Sequence, residues 1–179
     1  MNSKQICQGL LETHGNFTRY LGSLSAEEWS YHPGDKWSAG QHLDHICRSV
    51  AAVNLALILP RWFLRWYVGM ANRPSRSYEE LVARYHQKLS EGGRASGRFV
   101  PAQVTLENRE KKMKRLMAAA EKMGRRLTRY SEANLDKYIL PHPLLGKLTI
   151  REMLYFTVYH VGHHQSTVTR QLDNKKAGQ

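Results

Sequence analysis

The stretch Tyr155-Phe156-Thr157-Val158-Tyr159-His160-Val161-Gly162-His163-His164-Gln165-Ser166 lies in a long segment with the spacing of a helix. Ile150, Leu154, Thr157, Val161, His164, Val168 and Leu172 recur every three or four residues and mark one buried face. Thr149-Ile150-Arg151-Glu152 is a capping box at its start, in which the threonine hydroxyl takes an orphan N–H and Glu152 reaches back. On such a helix His160 and His164 stand one turn apart and point the same way. Two imidazoles at i and i+4 can converge on one metal ion, and a third ligand from another helix would close the site. A buried histidine more often bonds a carbonyl, so the spacing alone leaves both readings open.

Working outward, residues 1–24 form a first helix with Ile6, Leu10, Phe17 and Leu21 inward and His14 on the same stripe. A polar connection follows, holding the turn-forming His32-Pro33-Gly34-Asp35. Ser38-Ala39-Gly40-Gln41 caps a helix over 38–59, with Leu43, Ile46, Val50 and Val53 as its apolar stripe. Beside that stripe runs a narrower row, His42, His45, Ser49, Ala52 and Ala56, whose small residues let a neighbouring helix come close. Pro60 kinks or ends the helix, and Trp62, Trp66 and Tyr67 then alternate with arginines, which fits a core-edge helix, a membrane-surface anchor or, as the composition favours, a dimer contact. A short helix over 77–90 starts at Ser77, and the glycine-rich stretch from Ser90 to Gln103 is a long loop.

Residues 105–130 are the most regular. Leu106, Met113, Ala120 and Leu127 recur every seven residues, as do Leu116, Met123 and Tyr130, which is a bundle seam. A loop over 131–148 with Pro141-His142-Pro143 leads into the histidine helix, 149–172, and 173–179 is a frayed polar tail. The whole chain, 1–179, is thus one all-α domain: a four-helix bundle with a short additional helix.

A chain of 179 residues with 41% hydrophobic and 23% charged residues suits one globular core. Two cysteines, Cys7 and Cys47, are too few for a disulfide framework and fit a reduced, cytoplasmic chain. No charged segment followed by an apolar run suggests a secretory signal, and the apolar region 49–70 is interrupted by Asn54, Pro60, Arg61 and Arg65, so no membrane span is expected. The net charge of +12 admits polyanionic partners or an anionic substrate without choosing among them. Nine lysines and arginines against three glutamates in 105–130 make a basic helix face. Such a face is usually just solvated, and with no recognition-helix or base-stacking motif nucleic acid is the minor reading.

Trp37-Ser38-Ala39-Gly40-Gln41-His42-Leu43-Asp44-His45-Ile46, taken with His160-Val161-Gly162-His163-His164-Gln165, resembles the DinB-like superfamily, which includes the YfiT-like proteins and the mycothiol-dependent maleylpyruvate isomerase group. The family pattern is a tryptophan-serine helix start with a histidine eight residues after the tryptophan, then His-x-x-x-His on the last long helix. The resemblance implies a DinB-like four-helix bundle, often dimeric. It also implies a zinc, nickel or similar divalent ion held by His45, His160 and His164, and in some members a low-molecular-weight thiol as cosubstrate. Where relatives often continue with Arg-Gly-Gln, this chain has Gln165-Ser166-Thr167, so the family's substrate contacts do not transfer.

His14, His42 and His86 compete as third ligand, His42 most seriously, while His163 falls on another side of its helix and His32 and His142 sit in loops. Three neutral histidines leave an ion with open positions, as in a catalytic centre. No His-Glu-x-x-His is present, and Asp44, Tyr155 and Tyr159 offer no clear general base. The expected function is metal-dependent hydrolysis or thiol transfer on a small-molecule substrate. The alternative is a non-catalytic binding protein, metal-stabilised or bound to nucleic acid through 105–130.

Overall fold

A computed structural model describes residues 1–178. Four long helices form the bundle: α1 (Ser3–Ser23), α3 (Ala39–Ala56), α6 (Leu106–Leu127) and α8 (Ile150–Ala177). α1 and α3 each pack against both α6 and α8, which sets the cyclic order α1–α6–α3–α8. Shorter pieces fill the connections: α2 (Ala26–Ser30), α4 (Arg61–Phe63) running on as a π-helical turn Leu64–Val68, α5 (Tyr78–Ser90) against α8, and α7 (Glu132–Lys137).

The helix starts follow local chemistry. Ser38, Ser77 and Thr149 each form the reciprocal capping box with Gln41, Glu80 and Glu152. Asn2 with Gln5 and Ser25 with Glu28 do the same for α1 and α2. Ile6, Leu10, His14, Phe17 and Leu21 are the buried face of α1; Leu43, Ile46, Val50 and Val53 are buried on α3 and belong to the same core. Each such aliphatic side chain contributes about 1.5–3 kcal/mol by leaving water.

Four expectations need correction. The connection after α1 contains α2, and the expected loop over 131–148 contains α7 and an antiparallel hairpin, β1 (Ile139–His142) with β2 (Gly146–Thr149), Leu140 pairing with Leu148. Five- and six-residue helices and four-residue strands are too short to show a period. The expected frayed tail is helical through Ala177, because Val168, Gln171 and Leu172 are still buried and Lys175 ion-pairs with Glu27. In the seam of α6, Leu106 is 40% exposed; the packed run begins further along, at Leu116.

The start of α8 is pinned by Glu152, whose side chain is fully buried. Its carboxylate accepts from Arg73 Nη1 (2.6 Å) and Nη2 (3.0 Å), Arg76 N–H (2.8 Å) and Thr149 N–H (2.9 Å). Burial pushes its pKa up, and the Arg73 ion pair and the two backbone N–H bonds outweigh that, leaving it below the usual value. Among the described residues no single helix is long and apolar enough to cross a membrane. The two cysteines are unbridged.

Candidate metal centre

The capping box at Ser38 starts α3 so that His42 and His45 fall in its first two turns, facing α8. Gly40 is needed there, since a Cβ would stand 2.7 Å from the Val104 carbonyl and 3.2 Å from the Trp29 ring. From α8, His160 and His164 are buried and point back at α3. His45 Nε2 lies 3.3 Å from His160 Nε2, and His164 Nε2 lies 3.0 Å from the same atom. Ligand atoms of the three all lie within 4.8 Å of one another.

Those separations fit a metal ion. Nitrogens about 2.0–2.1 Å from a tetrahedral zinc are about 3.3–3.4 Å apart, and neutral imidazole suits zinc, nickel and their neighbours. The protonation state also fits. Burial holds the His160 and His164 pKa values well below the ordinary one, with neighbouring imidazoles adding to the effect, and burial likewise lowers His45. Near pH 7 all three rings are neutral and each can offer a lone pair.

The tautomers are set from outside the cluster. His45 Nδ1 donates to the Phe99 carbonyl at 2.7 Å, which leaves Nε2 bare and turned towards His160. Phe99 is held there by Asp44, which accepts from Ala102 N–H (2.7 Å) and Arg48 Nε (2.7 Å) and pairs with Lys112 on α6. Burial alone would raise the Asp44 pKa, but these partners bring it below the usual carboxylate value. Asp44 is therefore a brace for the loop behind His45.

His42, the strongest rival ligand, is not one of the three. Its Nδ1 meets His164 Nδ1 at 2.7 Å, behind the ligand rather than beside it. His164 can present a bare Nε2 only when its Nδ1–H donates to His42, and the His42 proton then sits on Nε2, a buried atom without a partner among the described residues. The Trp37 ring covers this side, 5.0 Å from His45 and stacked at 6.0 Å on His164, while Phe156 stacks on His160 at 4.5 Å.

The other histidines are elsewhere. His14 is buried in α1 and bonds the Leu10 carbonyl at 2.7 Å; His86 meets the Tyr159 hydroxyl at 2.6 Å. His163 is half-buried on the rim, edge-on to Tyr85. Tyr155 is tied to Met1, which leaves neither it nor Tyr159 free for the centre. On the basic helix, Lys112 serves Asp44, Arg126 caps the Asn54 carbonyl and Arg109 bonds the Leu24 carbonyl, so part of that charge is structural.

A cavity of about 180 Å³ opens beside the cluster, between α3, α5, α8, the hairpin and the loop over 94–99. His45 and His160 line it, but His164 does not. Tyr85 lines it too, its ring 6.0 Å from His160, and burial raises its pKa so that the phenol stays protonated. From sequence, Tyr85 is only an inward residue of a short helix, and the Phe99 carbonyl and His142 are loop positions. Their roles arise from tertiary placement that no local pattern encodes.

The sequence model of the DinB superfamily matches residues 10–168, a span that takes in His45, His160 and His164. No curated protein matches the chain.

Proposed function

This chain belongs to the DinB superfamily, and from that membership and the histidine cluster we propose that it is a divalent-metal-dependent enzyme acting on a small molecule, with thiol-dependent group transfer ahead of hydrolysis. The observation that carries the reading is the convergence of three neutral imidazoles, His45, His160 and His164, at the edge of a cavity large enough for a small substrate. A divalent ion held by these nitrogens supplies a Lewis acid that lowers the pKa of a thiol or water bound to it.

The chain's own residues favour the thiol. No Asp or Glu lines the cavity among the described residues, so no carboxylate is placed to take a proton from water. A thiol ordinarily ionises near 8.5 and needs far less help. Tyr85, protonated and lining the cavity, is placed to donate a hydrogen bond to substrate rather than to accept a proton. Phe99 and His42 hold ligand tautomers, and Trp37 and Phe156 exclude water from the rings.

A homodimer contact belongs to the same proposal. Trp62, Trp66 and Tyr67 are 70%, 80% and 73% exposed on one short element, an apolar patch of the kind that subunit interfaces cover.

Metal content by mass spectrometry tests the centre, on untagged protein purified without a nickel column. About one equivalent is expected in the wild type, lost in His45→Ala and His164→Ala that remain folded. Failure of the wild type to hold added zinc or nickel would overturn the reading.

A further inference from the structure

The cavity beside the cluster has two unlike ends. His45 and His160 form one; the other is the hairpin turn, where His142, Pro143 and Leu144 line it together with Arg94. Between the ends the walls are apolar, from Val53, Leu89, Leu140, Met153 and Phe156. Phe156 links the two ends, stacked at 4.5 Å on His160 and edge-on at 4.4 Å to His142.

The loop that closes the cavity fixes which arginine serves which end. Gly92, with φ at 88°, turns the chain out of α5, and Gly93 is pressed on the hairpin: a Cβ there would stand 2.5 Å from Leu144 Cδ1 and 2.6 Å from the Lys88 carbonyl. Arg94, the next residue, therefore leaves the backbone beside the hairpin turn. Arg98 leaves it beside Phe99, at the His45 end, with its guanidinium over the Phe99 ring at 5.1 Å. Arg94 has no carboxylate in ion-pair distance among the described residues.

His142 presents a donor of fixed direction. Its Nδ1 accepts from Leu144 N–H at 3.1 Å and Leu145 N–H at 3.0 Å, so the proton of the neutral ring is on Nε2. Burial pushes its pKa down to about 4, which keeps the ring neutral near pH 7. The Nε2–H is the ring's remaining donor, and His142 lines the cavity. A guanidinium and an N–H at the end of an apolar cavity make a receptor for one oxyanion, because charge-assisted hydrogen bonds are stronger than neutral ones.

We propose that the cavity binds an amphipathic monoanion, an aliphatic or aryl compound ended by a carboxylate, with the carboxylate held by Arg94 and His142 and the apolar body laid along Phe156 towards His45 and His160. The inference rests on the cavity's being the substrate site of the centre proposed above. Anchored by its charge at the hairpin, the ligand presents its other end to the histidines, and this orientation selects which bond reacts.

Isothermal titration of octanoate, 1-octanol and octylamine into zinc-loaded and into chelator-treated protein tests it. Octanoate is expected to bind about tenfold tighter than 1-octanol, octylamine weakest, and the preference should survive chelation. Arg94→Gln and His142→Asn should each weaken octanoate about tenfold and leave 1-octanol unchanged; asparagine can still accept the turn's N–H groups but lacks the ring Nε2. Arg98→Gln, at the opposite end, should leave the preference intact. Equal affinity for octanoate and 1-octanol would overturn the proposal, and so would sensitivity to Arg98→Gln in place of Arg94→Gln. Loss of octanoate binding on chelation would also overturn it, by putting the carboxylate at the histidines. The two readings fail separately: zinc uptake without octanoate preference defeats only the anion clamp, and the preference in a protein that takes up no metal defeats only the metal centre.

Discussion

Replacing His42 with leucine should weaken metal binding without abolishing it. His42 lies one turn before the proposed ligand His45, but its Nδ1 is 2.7 Å from Nδ1 of His164, on the side of that ring away from the cluster. With His42 as acceptor, His164 keeps its proton on Nδ1 and its lone pair on Nε2. Leucine fills most of the space beside Trp37, whose ring is 5.5 Å from that of His42, and removes the acceptor. A buried N–H left without a partner costs about 1–3 kcal/mol, and loss of an orienting partner typically lowers metal affinity about 10–100-fold. The two figures agree, since tenfold corresponds to about 1.4 kcal/mol. Competition for zinc against a chromogenic chelator reads the affinity, and thermal melting of the metal-free variant separates it from any loss of folding. Wild-type affinity in His42→Leu would show that His42 orients nothing. A loss as complete as that of His164→Ala would refute the assignment in the other direction, making His42 itself a ligand.

Three further outcomes follow from other parts of the molecule. His14 has its pKa lowered to about 4, chiefly by burial, so the unfolded chain binds the proton first as pH falls, and stability present above about 6.5 is lost between there and about 4. Urea unfolding with chelator present should show His14→Leu losing about 1.5 kcal/mol less than wild type between pH 6.5 and pH 5, and parallel pH curves would contradict it. Glu152→Gln leaves Arg73 and Arg76 facing a neutral amide in place of a buried carboxylate, for a cost of about 3 kcal/mol, or about 6–12 °C in melting temperature for a chain of this size; melting within a degree or two of wild type would count against the network. The double variant Trp62→Ser, Trp66→Ser should keep the wild-type melting temperature and metal content while light scattering shows a dimer becoming a monomer. A monomeric wild type would remove that interface.

The sequence carried the long-range plan of this fold better than its connections, for a physical reason. A helix such as α8 repeats its burial signal over many residues and announces its start with Thr149 and Glu152, so its direction and inner face follow from spacing alone. The strands Ile139–His142 and Gly146–Thr149 hold four residues each, with Pro141 in one and Gly146 at φ 77° opening the other. Their pairing is decided by the ladder and by His142 catching two N–H groups of its own turn, not by any periodicity. The same limit applies to His42 and His45. Both lie on the row facing α8, and nothing local distinguishes a ligand from the residue behind a ligand. The difference is set by how α3 crosses α8, which brings His45 Nε2 to His160 and His42 Nδ1 to the back of His164. The Phe99 carbonyl was the least legible part, being main chain in a loop whose position depends on Asp44 and Lys112, from two other helices.

Metal binding by histidine competes with protons and with the freedom of the rings, and here folding has already removed both obstacles. Burial keeps His160 and His164 neutral, and the hydrogen bonds from Phe99 and His42 restrict how His45 and His164 can turn. With His45 and His164 protonated on Nδ1, only His160 Nε2 is left to donate within the cluster, so these nitrogens, about 3 Å apart, share at most one proton among the three. Their packing is supported instead by the core on either side, by Trp37 and Phe156 against the rings, and by the anchors at Asp44 and Glu152 that hold the loops in place. A cluster with that much support and so little cohesion of its own is preorganised in the way the proposed metal site requires. The same argument makes the two anchors part of the site's design: weakening either should loosen the ligand geometry before it unfolds the bundle.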